Sequence, residues 1–150
     1  MTMPDPSLNQ ARAALREIVG SERESLADLL LALGLSGTVA IERLNDGVDL
    51  IAAALARLLA GPLDRDDRAQ LRFLLIHLVG RLLVERHDGM WMIGKDPASR
   101  HYGRVVIGAM RGVPPGTSIQ PGLAADDLLA GQTLPNVLAA IEQEIGELPR

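Results

Sequence analysis

The sequence predicts a predominantly helical α+β domain, with five to seven helices and a small antiparallel β-hairpin around residues 90–120. Three observations predict it. Leu and Ala, both good helix formers, supply 45 of the 150 residues. Through most of the chain the apolar residues recur at three- and four-residue steps, the period of one helix face. Only the stretch after Asp88-Gly89 breaks that rhythm, with the short bulky or β-branched runs Met90–Ile93 and Val105–Ile107.

The elements follow in order. Two prolines within residues 1–6 predict a disordered N-terminal end. Ser7-Leu8-Asn9-Gln10 and Ser21-Glu22-Arg23-Glu24 both have the capping-box form, and Gly20 and Gly34 stand where a C-cap glycine would end each helix. Helices are therefore expected over 8–19 and 22–33, with a shorter one near 38–44. Val48, Ile51, Ala52, Leu55, Leu58 and Leu59 form one apolar stripe, which Gly61-Pro62 stops. Asp64-Arg65-Asp66-Asp67 then opens the longest helix, 65–87. Its middle, Phe73 to Val79, is apolar nearly all round, which places it centrally between two packed sides. Asp-Pro, Ser and Gly fill the loop between the two strand runs, and Thr117–Ile119 offers a third edge strand. Helical pattern returns over 123–130 and, with Thr133 as cap, over 134–145. No repeat or internal linker divides the chain, so 1–150 reads as a single domain.

Composition narrows the function classes. With 47% hydrophobic and 23% charged residues the chain can bury a core rather than stay disordered. A net charge of −4 argues against a surface given over to nucleic acid or anionic lipid. The absence of cysteine removes thiolate chemistry and disulfides and suits a reducing compartment. No leader and no apolar run of membrane-spanning length is evident, so the expected setting is the cytoplasm. Arginine supplies every basic residue except Lys95, the bias of a GC-rich bacterial coding sequence. Charge is unevenly spread: residues 89–120 hold Lys95, Arg100, Arg104 and Arg111 against Asp96, while 121–150 hold five acidic residues against Arg150. A basic hairpin thus precedes an acidic pair of helices that can neutralise it.

Catalytic signatures fail on inspection. Gly89-Met-Trp-Met-Ile-Gly-Lys95 fills seven positions of a phosphate loop, but Asp96 stands where Ser or Thr belongs and a helix, not a strand, precedes it. Ser36, in Gly34-Leu-Ser-Gly37, lacks the Gly-x-Ser-x-Gly spacing of a nucleophile elbow. His87, Asp88, Asp96 and His101 are weak metal-ligand candidates that share no ligand spacing, and His87 already suits the negative end of its helix. No cofactor is implied. A winged-helix reading, with Arg100, His101 and Arg104 as the wing, founders on a 65–87 helix too apolar to lie in a groove. On that helix His77 shares a narrow polar stripe with Gln70, Arg81 and Asp88, expected to face solvent or else to line a groove or a dimer contact. Trp91, the only tryptophan, is expected to anchor the sheet to the helices.

The run from Val79-Gly80-Arg81 through Arg86-His-Asp-Gly-Met-Trp91, then Tyr102-Gly-Arg-Val-Val and Ile119-Gln-Pro121, resembles small bacterial domains of unknown function in which a helix ends at a Gly-x-Trp and enters a short antiparallel sheet. The likeness covers roughly residues 70–145 and implies an α+β fold. It carries over no functional residue. The expectation for function is a non-catalytic cytoplasmic interaction domain that pairs with a protein or with itself, as a homodimer through its helical body. His77, Arg81, Arg100, His101 and Arg104 are the interaction candidates. The alternatives are a binder of nucleic acid or a phosphorylated ligand through the hairpin, Lys95 to Arg104, and an enzyme of unrecognised type using His and Asp near it.

Overall fold

The computed structural model describes residues 6–147. The disordered end expected over residues 1–6 lies outside them, except for Pro6, which already opens a helix. Five α-helices and two strands follow one another as α1 (Pro6–Ala32), a 3-10 turn (Ile41–Gly47), α2 (Val48–Ala60), α3 (Arg65–His87), β1 (Met90–Ile93), β2 (Val105–Gly108), α4 (Pro121–Leu129) and α5 (Leu134–Glu147). The predominantly helical α+β class is as the sequence predicts.

The main departure is α1, one helix of 27 residues where two were expected. Gly20 does not end a helix: its φ is not positive, and a methyl group there would meet nothing within 4 Å. Ser21 caps nothing. Its hydroxyl bonds back to the Glu17 carbonyl at 2.7 Å, the i−4 pattern of a serine inside a helix. Local capping signals lose here to packing, because an unbroken α1 can lie along α3. Gly20→Ala is therefore expected to stabilise the fold by about 1 kcal/mol, read as a higher denaturant midpoint. A left-handed Gly20 between two helices would make the same change destabilising.

The real end is at Gly34. Its φ is +73°, the Gly34 N–H bonds to the Leu31 carbonyl at 3.0 Å and the Leu35 N–H to the Leu30 carbonyl at 2.8 Å, which together make a Schellman motif. The short helix expected near 38–44 is instead the 3-10 turn, displaced toward α2 and kinked at Arg43. The α3 start is built as the acidic run predicts: Asp64 accepts from the Asp67 N–H at 2.7 Å and Asp67 answers the Asp64 N–H at 3.4 Å.

Leu75, Leu78, Val79, Leu82 and Leu83 are fully buried, so α3 is the central helix, held between α1 on one side and α4 on the other. One cluster of buried side chains runs from Leu26 to Ile145 around it. The hairpin pairs Met90 with Gly108, Trp91 with Ile107, Met92 with Val106 and Ile93 with Val105, antiparallel. The third strand shrinks to one bridge, Ile107 with Ile119, their N–H and C=O groups exchanging bonds of 2.8 and 3.0 Å. Pro121 begins α4, where its missing N–H costs no bond. Thr133 caps α5 as expected, its Oγ1 accepting from the Asn136 N–H at 3.2 Å. Among the described residues, no helix is long and apolar enough to cross a membrane.

Candidate functional site

The polar stripe on α3 faces solvent only at its ends, Gln70 and Asp88, and not in its middle. His77 is 0% exposed, which removes it as a surface contact. The unbroken α1 covers it, and the ring sits edge-on to Phe73 at 4.9 Å and to Trp91 at 6.3 Å between centroids. The one polar atom close to its Nε2 is Ser21 Oγ, at 3.5 Å. Because that hydroxyl gives its proton to Glu17, only lone pairs remain toward His77, and the contact assigns the ring proton to Nε2. Nδ1 then holds a buried lone pair with no partner, as does the Trp91 indole N–H on the donor side. Burial holds the His77 pKa down to about 4, so the imidazole is neutral at neutral pH.

Serine beside histidine suggests a nucleophile and its base, but this pair is arranged otherwise. The hydroxyl proton points at a backbone carbonyl, the ring is sealed from solvent, and no carboxylate orients the far nitrogen. The arrangement is a packing device rather than a reactive one.

Gly80 is the residue that sequence reasoning did not single out. A Cβ at this position would fall inside the Trp91 ring, on Cζ2 and Cη2. One turn beyond His77, the bare backbone of α3 is a slot for the indole, which lies half-buried against the core. The only available signal was the pairing of a mid-helix glycine with a lone tryptophan eleven residues on.

Arg81 reaches solvent only in part, its side chain 31% exposed. Its guanidinium lies 4.0 Å from the Glu85 carboxylate, with Arg81 Nε and Glu85 Oε2 both buried and without a hydrogen bond. Burial pushes the Glu85 pKa up, while Arg81 pulls it back. On the same flank Arg23 of α1 meets Glu42 at 2.9 Å, beside a shallow depression that Arg81 also lines.

The hairpin loop and the acidic C-terminal helices meet, as the charge split allows. Arg100 pairs with Glu144 of α5, and Arg111 lies 3.8 Å from Asp88. His101, expected on an exposed wing, is 6% exposed, with its Nδ1 3.4 Å from Gln120 Oε1. It is turned inward because the loop folds tightly on Gly94, whose absent side chain leaves room for the His101 backbone. Lys95 and Arg104 are exposed, and no ion pair involves either among the described residues.

The weak metal candidates are scattered. His87 bonds Glu142 of α5 at 2.8 Å, Asp88 caps α3 in a left-handed conformation, Asp96 accepts from the Ala98 N–H at 2.9 Å, and His101 faces Gln120. Among the described residues, no three His, Cys, Asp or Glu side chains gather as a metal would need. No family model, curated protein or solved structure matches this chain, so its function has to be read from its own residues.

Proposed function

We propose that this is a non-catalytic protein-interaction domain of the bacterial cytoplasm that pairs with a second copy of itself. The observation that carries the reading is uncovered apolar surface. Leu31 is 70% exposed, Met90 56% and Met92 38%, and Val19, Leu50 and Leu123 are each at least half exposed. Single exposed apolar residues are ordinary, but Met90 and Met92 stand side by side on one face of β1, and such continuity is what interfaces use. An apolar groove of about 440 Å³ adds to it, between α2 (Ala52, Ala56, Leu59) and the Gly131–Pro135 turn.

Two features weigh against the other readings. His77 is sealed from solvent, and His87 and His101 face Glu142 and Gln120 within the fold with no nucleophile beside them, which is thin support for a catalytic reading. Arg100 and Arg111 are matched by Glu144 and Asp88, which leaves Lys95 and Arg104 as thin support for a site that grips nucleic acid or a phosphorylated ligand. Sedimentation equilibrium of the intact chain at micromolar concentration is the test. The expected result is a reversible species of twice the 16.0 kDa chain mass. A monomer throughout the range would overturn the homodimer.

A further inference from the structure

We propose that the cleft between the hairpin loop and the 114–118 turn binds a neutral polyhydroxylated molecule the size of a single sugar ring. The inference goes beyond self-pairing and does not depend on it.

The cleft encloses about 390 Å³. That falls within the ~300–1,000 Å³ of small-molecule sites. Its walls are held from behind by the fold. On the loop side the Ser99 N–H bonds to the Asp96 carbonyl at 3.0 Å, and the His101 N–H to Ser99 Oγ at 3.1 Å. On the turn side the Thr117 N–H bonds to the Pro114 carbonyl at 3.2 Å, and Ile119, two residues on, is bridged to Ile107 of β2. A site fixed in this way needs little ordering when a ligand arrives.

Polar atoms without partners carry the argument. His101 and Thr117 both line the cleft, yet the residues are only 6% and 8% exposed. Burying a polar side chain is costly unless its polar atoms find partners. His101 Nδ1 lies 3.4 Å from the acceptor Gln120 Oε1, which assigns the ring proton to Nδ1 and leaves a lone pair on Nε2. Neither that lone pair nor the Thr117 hydroxyl has a hydrogen-bond partner among the described residues. Nor are these atoms sealed. The sealed, partnerless side-chain atoms among the described residues are His77 Nδ1, Arg81 Nε, Glu85 Oε2 and Trp91 Nε1. What exposure His101 and Thr117 retain is therefore at the cleft they line. His101, Arg100 and Glu144 also border an adjoining groove of about 190 Å³, so the imidazole stands where the two meet.

The class of ligand follows from which valences are left. Arg100 is paired with Glu144, so it is no free cation for a phosphate or a carboxylate. Asp96, on the same lining, works against any anion. A metal ion lacks its ligand set, because no three His, Cys, Asp or Glu side chains gather among the described residues. The remaining groups are neutral: a ring nitrogen that accepts, and the Thr117 and Ser118 hydroxyls that both donate and accept. Hydroxyl groups on a ligand satisfy all of them, since each can donate to Nε2 and exchange bonds with the other two. Pro114 and Pro115 offer the C–H side of a ring an apolar wall.

The test is a titration of the isotope-labelled chain, followed by NMR, with glucose, galactose, mannose and myo-inositol. Inorganic phosphate and methylammonium serve as charged comparators. The expected result is saturable binding of at least one neutral probe at millimolar concentration, with amide shifts centred on His101, Thr117 and Ser118. Thr117→Val, which removes the hydroxyl and keeps the shape, should weaken that binding about fivefold or more and leave the thermal midpoint near wild type. Ser118→Ala, at a half-buried position, should weaken it as well and does not touch the packed side of the turn. No saturable shift with any of the four neutral probes would overturn the proposal. So would shifts centred elsewhere, or wild-type affinity in both variants. Tighter binding of phosphate or methylammonium than of every neutral probe would overturn the neutral class.

Discussion

Gly80→Ala should destabilise the wild-type chain and stabilise the Trp91→Ala chain. The reversal comes from two opposed effects at one site. Alanine is the better helix residue by about 1 kcal/mol, a gain that applies in either background. In the wild type its methyl group would occupy the space of the Trp91 ring, and overpacking of this kind costs about 1–3 kcal/mol. Trp91→Ala alone is expected to cost about 2–3 kcal/mol, below the range for a fully buried aromatic, because the indole is only half-buried. Once the ring is gone, the methyl group at position 80 meets open space and partly fills it. A double-mutant cycle on denaturant unfolding should thus give a coupling of about 2 kcal/mol or more between the two positions. Additive effects would mean that the indole does not sit on the α3 backbone.

What was legible in the sequence divides along the range of the forces involved. The hairpin, α2 and α3 could be placed within a residue or so because their ends are set by local chemistry: the Asp64 and Asp67 capping pair, Gly61-Pro62, and the abrupt change of period at Met90. Gly20 was misread for a physical reason. A glycine followed by Ser-x-x-Glu has the same local preference for a helix end whether or not another helix lies alongside, and here α3 decides. The polar stripe failed in a related way. Periodicity established that His77, Arg81 and Asp88 share a side of α3, yet it carried no information on what covers that side. Only its two ends, Gln70 and Asp88, reach solvent freely. His101 was misjudged because loop residues are read as exposed by default, and the tight fold over Gly94 is a tertiary effect. The charge split was the more reliable long-range signal, since opposite charges in neighbouring segments tend to meet wherever the fold allows, as Arg100 and Glu144 do.

Stability should fall as pH drops from 6.5 to 4, and His77 should account for much of the fall. In the unfolded chain an imidazole titrates near 6.5. Burial between α1, α3 and β1 keeps the folded ring neutral until about pH 4. Above 6.5 neither state binds the proton, and the fold carries no penalty from this residue. Between 6.5 and 4 the unfolded state gains a proton that the folded state refuses, so the balance shifts steadily toward unfolding. Over that window the loss amounts to about 3 kcal/mol, a large share of the stability of a domain this size. His77→Leu separates this effect from the carboxylates that also titrate there. Leucine fits the space beside Phe73 and Trp91 and removes a buried nitrogen that has no partner, so the variant is expected to be at least as stable as wild type at pH 7.5. Its advantage should then widen as the pH is lowered. Chemical denaturation of both proteins at several pH values between 7.5 and 4 reads the difference directly, and the His77 ring-proton shift in NMR should stay at its neutral position until below pH 5. Parallel stability curves for the two proteins, or a His77 resonance that titrates near 6.5, would show that the ring is open to solvent and that α1 does not cover it.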